Sequence, residues 1–296
     1  NGSGSQEYHG GTGNDTLKIE LENFPNLLDD FVGEVDLVNG WAGPENDPDH
    51  ELSDTLSSIE NISVYGDKDY IITGDAEDNI IKSDSGDDYL YGGDGNDVLK
   101  SGAGDDFIDG GNGDDILILN GSGTQTFDGG EGIDTFKLDH NSFTSTLNPD
   151  LPLIIEIDLV RGISGQKDNE TLRDKLTSIE NIKYKGSTDV EMTGDANDNT
   201  IWSAAGDDII NAGAGNDFIN SGTGTDIITT GSGADKIIIQ SNQVSYTIDT
   251  ADRITDFEDG ADNFALDGIK FSDITITEGT GTYASHTILS MLDASS

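Results

Sequence analysis

"GGDGNDVLK", residues 92–100, is followed without a break by "SGAGDDFID" at 101–109 and "GGNGDDILI" at 110–118. Glycine dominates the first places of each phrase, aspartate holds the sixth and an aliphatic residue the eighth. Glycine permits the positive φ of a tight loop, and the last three places alternate as a short strand does. One phrase therefore reverses the chain once and two complete a coil. Residues eighteen apart then stack along an axis, at the strand spacing of about 4.8 Å.

In that register five phrases run from 74 to 118 and five more from 194 to 238, with single units at 10–18, "GGTGNDTLK", and 129–137, "GGEGIDTFK". The eighth place is apolar throughout both blocks: Ile81, Leu90, Leu99, Ile108 and Leu117, then Ile201, Ile210, Ile219, Ile228 and Ile237. The phrase is similar to the G-G-x-G-x-D-x-U-x repeat of parallel β-helices. A longer period of 120 residues includes the linkers, since "LSDTLSSIENI" at 52–62 answers "LRDKLTSIENI" at 172–182. The chain thus divides into a linker and roll over 1–128 (roll 74–118), a second over 129–248 (roll 194–238), and a different ending over 249–296. One continuous rod is expected. Within the linkers, alternation at Ile157, Leu159, Ile179 and Ile182 suits strands, while the polar stretches 39–51 and 162–170 are expected to loop out.

With 59 acidic and 14 basic residues the chain carries a formal charge of −45, and it has no cysteine. Such charge opposes compaction. It also argues against nucleic acid and anionic lipid as partners, no stretch is long and apolar enough for a membrane-spanning helix, and disulfides are excluded as staples. Disorder, the ordinary reading of such acidity, does not fit acids that are periodic and interleaved with Leu, Ile and Phe. The opening "NGSGSQEYHGG" has neither an initiator Met nor an apolar signal core, so the chain reads as part of a longer protein.

Stacking places the sixth-position acids in columns: Asp97 over Asp115, Asp88 over Asp106, Asp217 over Asp235 and Asp208 over Asp226. Two carboxylates at about 4.8 Å repel by roughly 3 kcal/mol at an effective dielectric of about 20. A hard cation reverses that sign. Calcium takes several oxygen ligands in tolerant geometry, whereas magnesium dehydrates reluctantly and asks for a stricter octahedron. Zinc lacks its usual partners, with no Cys and four unclustered His. Metal binding in such a chain is folding free energy.

These residues resemble the repeats-in-toxin (RTX) family of calcium-binding nonapeptide repeats. The resemblance implies an all-β chain, a right-handed parallel β-roll loaded with several Ca2+ ions, in two tandem units plus a C-terminal capping segment. Carried over by position, the ligands would be Asp88, Asp97, Asp106, Asp115, Asp208, Asp217, Asp226 and Asp235, together with main-chain oxygens of the Gly-rich loops. Asp15 and Asp134 hold the same place in the single units, and Asn79 and Asn199 in the opening repeats, where weaker sites are expected. "LNGSGTQTFD" at 119–128 has ten residues and Gln125 in the place of Asp, so no ion is expected in that loop. The family implies type I export and an extracellular or cell-surface location. A non-enzymatic structural and interaction module, such as that of an adhesin or surface protein, is the favoured function. The alternative is the accessory secretion or targeting module of an exported protease, lipase or polysaccharide epimerase, or of a toxin. Besides calcium, the partners implied are a neighbouring module of the same polypeptide, a cell surface or a polysaccharide.

No catalytic constellation stands out. His9, His50, His140 and His286 lie in unrelated contexts, "HEL" at 50–52 lacks the second His of a zinc-protease helix, and no G-x-S-x-G elbow occurs. The pair Asp87 and Asp88 has the composition of a glycosidase dyad, but its repetition in loop after loop points to ion ligation. The seventh place, which should face outward, reads Ile80, Tyr89, Val98, Phe107 and Ile116, then Ile209, Phe218 and Ile227. β-Propensity accounts for these residues; a contact face is the alternative.

Overall fold

A computed structural model describes residues 6–20, 32–45, 53–139, 154–169, 173–240, 252–258, 260–267, 274–278 and 287–291. Every regular element among them is a strand. The chain divides into two compact units, Asn1–Leu153 with Arg161–Asn181, and Ile154–Val160 with Ile182–Ser296.

In the first unit the repeats alternate between two sheets. Ile80–Lys82, Val98–Lys100, Ile116–Leu119 and Thr135–Asp139 are parallel neighbours in one. Asp69–Thr73, Tyr89–Asp94, Phe107–Asn112 and Thr126–Glu131 are parallel neighbours in the other. Val98 faces Ile80 on one side and Ile116 on the other, so the stacking interval is the eighteen residues expected. Ile81, Leu90, Leu99, Ile108 and Leu117 are all 0% exposed, which puts the eighth places in the core between the sheets. Beyond the ten-residue phrase the interval becomes nineteen, with Phe107 opposite Thr126 and Ile116 opposite Thr135. The turn absorbs the extra residue, because a slip within the strand would exchange its buried and exposed faces. Phe127 and Phe136 stay fully buried.

The linkers correct one expectation. Trp41–Pro44, inside the stretch expected to loop out, is a strand that pairs antiparallel with Val32–Asp36 and with Asp54–Ser57. Ile163–Gln166, inside the other stretch, pairs antiparallel with Arg173–Thr177. Backbone pairing decides here, since strands such as Val32–Asp36 present N–H and C=O groups that require partners, and polar side chains do not prevent a neighbour from supplying them. Residues 46–51 of the first stretch and 170 of the second lie outside the described residues. Of the linker residues expected in strands, Ile157 and Ile182 are in strands and buried, while Leu159 and Ile179 lie just beyond strand ends.

In the second unit Val190–Thr193, Ile209–Asn211 and Ile227–Thr229 stack in parallel on one side, and Thr200–Trp202, Phe218–Asn220 and Lys236–Gln240 on the other. After the repeats end, Arg253–Ile254 pairs with the strand Ile227–Thr229 and Asn263–Asp267 with Lys236–Gln240. The ending thus extends each sheet by one strand without the repeat sequence. Ile274–Glu278 and Thr287–Met291 form an antiparallel pair.

Candidate metal centres

Each turn between the sheets carries its sixth-position side chain inward, against the turn of the next coil; such a meeting of two stacked turns is called a rung below. The acids line up through hydrogen bonds from the main chain. The Asn79, Asp97 and Asp115 amides donate to Oδ1 of Asp97, Asp115 and Asp134, each at 2.7 Å. A second column of the first unit runs from the Tyr70 amide to Asp88 Oδ1 at 2.8 Å and from the Asp88 amide to Asp106 Oδ1 at 2.9 Å. In the second unit the Asn199 amide donates to Asp217 and the Asp217 amide to Asp235, both at 2.8 Å. Val190 donates to Asp208 and Asp208 to Asp226, both at 3.0 Å. All four stacked pairs anticipated by the spacing are therefore brought together.

In these nine carboxylates one oxygen is satisfied in this way and the other is not. Oδ2 of Asp15, Asp88, Asp97, Asp106, Asp115, Asp134, Asp208, Asp217, Asp226 and Asp235 is buried with no hydrogen-bond partner. These are the ten aspartates whose place in the repeat marked them as ligands. Eight of the ten lie in the two repeat blocks and are nearly inaccessible, Asp106 at 3% exposure being the most open of them. The orphan oxygens share their space with main-chain carbonyls. A Cβ on Gly92 would collide with both Asp97 Oδ2 and the Gly110 carbonyl, and one on Gly110 with Asp115 Oδ2 and the Gly129 carbonyl. Glycine is required there because two oxygens converge on the place of its missing side chain.

Burial pushes Asp88 and Asp97 up to about 7, and Asp134, Asp208 and Asp217 up to about 6, with neighbouring carboxylates adding to the rise. Asp106, Asp115, Asp226 and Asp235 are raised by the same desolvation. A buried carboxylate with one unsatisfied oxygen favours either a proton or a cation. Among the described residues no three acidic or histidine side chains converge on one point. A rung therefore offers a carboxylate and main-chain oxygens, a hard-donor set suited to calcium and unsuited to zinc.

Asn79 and Asn199 are buried at the same position but lack the orphan oxygen. Asn79 Nδ2 donates to the Glu60 carbonyl at 2.8 Å and to Asp75 Oδ1 at 3.2 Å, and Asn199 Nδ2 donates to Asp195 Oδ1 at 3.0 Å. At Gln125 the interruption goes further, since Nε2 donates to the Gly104 carbonyl at 2.9 Å and the Ser122 carbonyl at 3.4 Å.

Several residues that continue the columns were missed. The Gln125 amide donates to Asp174, Asp226 to Asp252 and Asp235 to Asp262, at 3.0, 3.0 and 3.1 Å. None of the three stands in a nonapeptide, so spacing carries no signal for them. The fifth places did carry one. Asp78, Asp87, Asn96, Asp105 and Asp114 form an outer ladder, each accepting the amide of the fifth place one coil on, for example Asp105 N to Asp87 Oδ1 at 2.9 Å. Asp87 and Asp88 thus serve opposite sides of one turn and do not form a dyad. His9 is exposed and hydrogen-bonds Ser57, with Glu7 3.7 Å away; His50, His140 and His286 lie outside the described residues. At the seventh place Tyr89 is 49% exposed, and its ring centroid is 6.1 Å from that of Phe107.

The family model described as the RTX calcium-binding nonapeptide repeat (4 copies) matches residues 1–18, 66–99, 91–121, 193–228 and 202–237. The matches cover both blocks and the first single unit; the single unit at 129–137 lies outside them. No curated protein matches the chain.

Proposed function

Because the chain carries RTX calcium-binding nonapeptide repeats, we propose that it is a structural and interaction module of a secreted or cell-surface bacterial protein, such as an adhesin, and that it folds as calcium binds outside the cell. The observation that carries this reading is the set of ten buried, unpartnered Oδ2 atoms at sixth places. Calcium, when bound, supplies the positive charge that lets these oxygens stay ionised inside the roll. Asp88, Asp97, Asp106, Asp115, Asp208, Asp217, Asp226 and Asp235 would hold it, with Asp15 and Asp134 in the single units. The same sequence in a calcium-poor cytosol is an expanded polyanion suited to export, because its compaction is opposed by a net charge of −45. The repeats are a calcium-binding scaffold.

Circular dichroism and small-angle scattering test this reading. In EDTA the protein is expected to be expanded and poor in β-structure, and millimolar calcium is expected to restore both compactness and β-signal while magnesium does much less. A chelated protein with its full β-signal at neutral pH would overturn it.

A further inference from the structure

The sequence Ser-Ile-Glu-Asn occurs at 58–61 and again at 178–181, outside every nonapeptide. Each copy docks on a single repeat unit in the way one repeat docks on the next. The Asp15 amide donates to Glu60 Oε2 at 2.7 Å, and the Asp134 amide to Glu180 Oε2 at 2.8 Å. In the regular rungs that amide goes to the aspartate of the next coil, as from Asp97 to Asp115. The backbone repeats the likeness, since Asn61 N donates to the Asp15 carbonyl at 3.0 Å and Asn181 N to the Asp134 carbonyl at 2.9 Å. The two docked turns even share an unusual conformation, with Ser58 at φ 51 and Ser178 at φ 50.

The oxygens converge as they do in the repeats. A Cβ on Gly129 would collide with Asp134 Oδ2 and the Ser178 carbonyl, where one on Gly110 would meet Asp115 Oδ2 and the Gly129 carbonyl. At Gly10 the corresponding pair is Asp15 Oδ2 and the Ser58 carbonyl. Asp134 is 0% exposed and its Oδ2 has no hydrogen-bond partner. A buried carboxylate oxygen aimed at a carbonyl, beside a second carboxylate from Glu180, asks for a cation in the same terms as Asp97 and Asp115 do.

We propose that the calcium sites of the two single units are completed by the linker turns on which those units stack: Asp15, Glu60 and the Ser58 carbonyl form one, and Asp134, Glu180 and the Ser178 carbonyl the other. The proposal rests on the calcium reading of the repeats and extends it to ligands the repeat does not contain. The longer glutamate arm lets a turn of different backbone complete a rung, so that an ion fastens linker to repeat. The linkers thereby become calcium-dependent parts of the fold.

The test counts calcium per chain by equilibrium dialysis and metal analysis of the whole protein. Glu60→Gln and Glu180→Gln each keep an oxygen that can accept the aspartate amide while removing the charge. Each is expected to bind one ion fewer than the unsubstituted protein, and the double variant two fewer, with the repeat sites still loaded. Asp134→Asn, which keeps Oδ1, is the second variant for its rung and is expected to lose the same ion. An unchanged count in the Gln variants overturns the proposal and leaves the repeats' sites standing. An unsubstituted protein that binds no calcium would instead strike the parent reading. Should one Gln variant fail to fold in calcium, the other copy, made of separate residues, decides.

Discussion

Two columns of sixth places run through the first unit, and they part company at one residue. In the column that runs from Asn79 through Asp97 and Asp115 to Asp134, the last three members are carboxylates, and each Oδ2 is buried and unpartnered. In the column of Asp88 and Asp106 the next place belongs to Gln125, whose Nε2 points its hydrogens at the carbonyls of Gly104 and Ser122. The turns are alike in both columns, each crowding main-chain oxygens together. What differs is the source of positive charge among those oxygens. A carboxylate adds negative charge and needs an ion, whereas a neutral amide brings its own N–H donors. Asn79 and Asn199 obey the second rule with a shorter arm. On the calcium reading, the difference separates rungs expected to need an ion from a rung whose amide supplies donors, although Gln125 Oε1 is itself buried and unpartnered.

The largest effect expected of that difference is on the calcium-free chain as pH changes. Asp88 and Asp97 are raised to about 7 and Asp134 to about 6, chiefly by burial, whereas in the unfolded chain an aspartate titrates near about 3.9. Between those values the folded form binds more protons than the unfolded one, so its stability falls as pH rises through the window. In EDTA, β-structure is expected to be most persistent near pH 4 and to be lost by about pH 7 to 8, with the raised carboxylates of both columns responsible. Circular dichroism across pH in EDTA checks this, and saturating calcium should flatten the profile at neutral pH. A calcium-free signal that grew on raising the pH from 5 to 8 would break the assignment of these carboxylates as the unsatisfied groups.

The columns themselves were legible in the sequence, because an interval of eighteen and a fixed sixth place are arithmetic once a phrase makes half a coil. Asp97 over Asp115 and Asp208 over Asp226 followed directly. The use of Oδ1 as an amide acceptor did not, so repulsion between the stacked acids appeared undiluted, when in fact half of each carboxylate is satisfied by the backbone. Glu60 and Glu180 were hidden by distance, since they reach Asp15 and Asp134 across 45 and 46 residues of chain. Asp174, Asp252 and Asp262 were hidden for the same reason. Trp41–Pro44 and Ile163–Gln166 escaped because antiparallel pairing at a sheet neighbour is a demand of backbone groups, and side-chain alternation does not announce it. The fifth-place ladder is different. Its Asp and Asn residues were visible at five successive turns, 78, 87, 96, 105 and 114, and counting them as a separate acceptor row would have found it.

Replacing Gln125 sharpens the comparison at an intermediate magnitude. Gln125→Ala leaves the carbonyls of Gly104 and Ser122 without the amide, which should cost about 1–3 kcal/mol. The loss should not be recovered by adding calcium, because alanine places no oxygen ligand at position 125. Gln125→Asp should behave oppositely, destabilising further in limiting calcium but binding one ion more at saturation, beside Asp106. Thermal melts at several calcium concentrations, with an ion count for the Asp variant, read both outcomes. If Gln125→Ala were rescued by calcium as fully as the unsubstituted protein is stabilised by it, the amide would have no part in replacing an ion.

The smallest effect concerns the outer dress of the same two columns. Behind Asp88 and Asp106 the seventh places are Tyr89 and Phe107, with ring centroids 6.1 Å apart, and Tyr91 adds a third ring 5.9 Å from Phe107. Behind Asn79, Asp97 and Asp115 they are Ile80, Val98 and Ile116. The sheet whose column is interrupted by Gln125 is thus also the one with an aromatic cluster on its outer face. Cross-strand aromatic pairs contribute about 0.2–1 kcal/mol each, without reference to any ion. Tyr89→Thr with Phe107→Thr keeps strand propensity and should lower the melting temperature by a few degrees, equally at low and high calcium, with the ion count unchanged. Analytical ultracentrifugation of the same variant separates bracing from contact: a drop in self-association would assign the rings to an interface between copies. A loss of bound calcium would instead show that the outer face helps set the turns behind it, and the two columns would then differ in more than the residue at their sixth places.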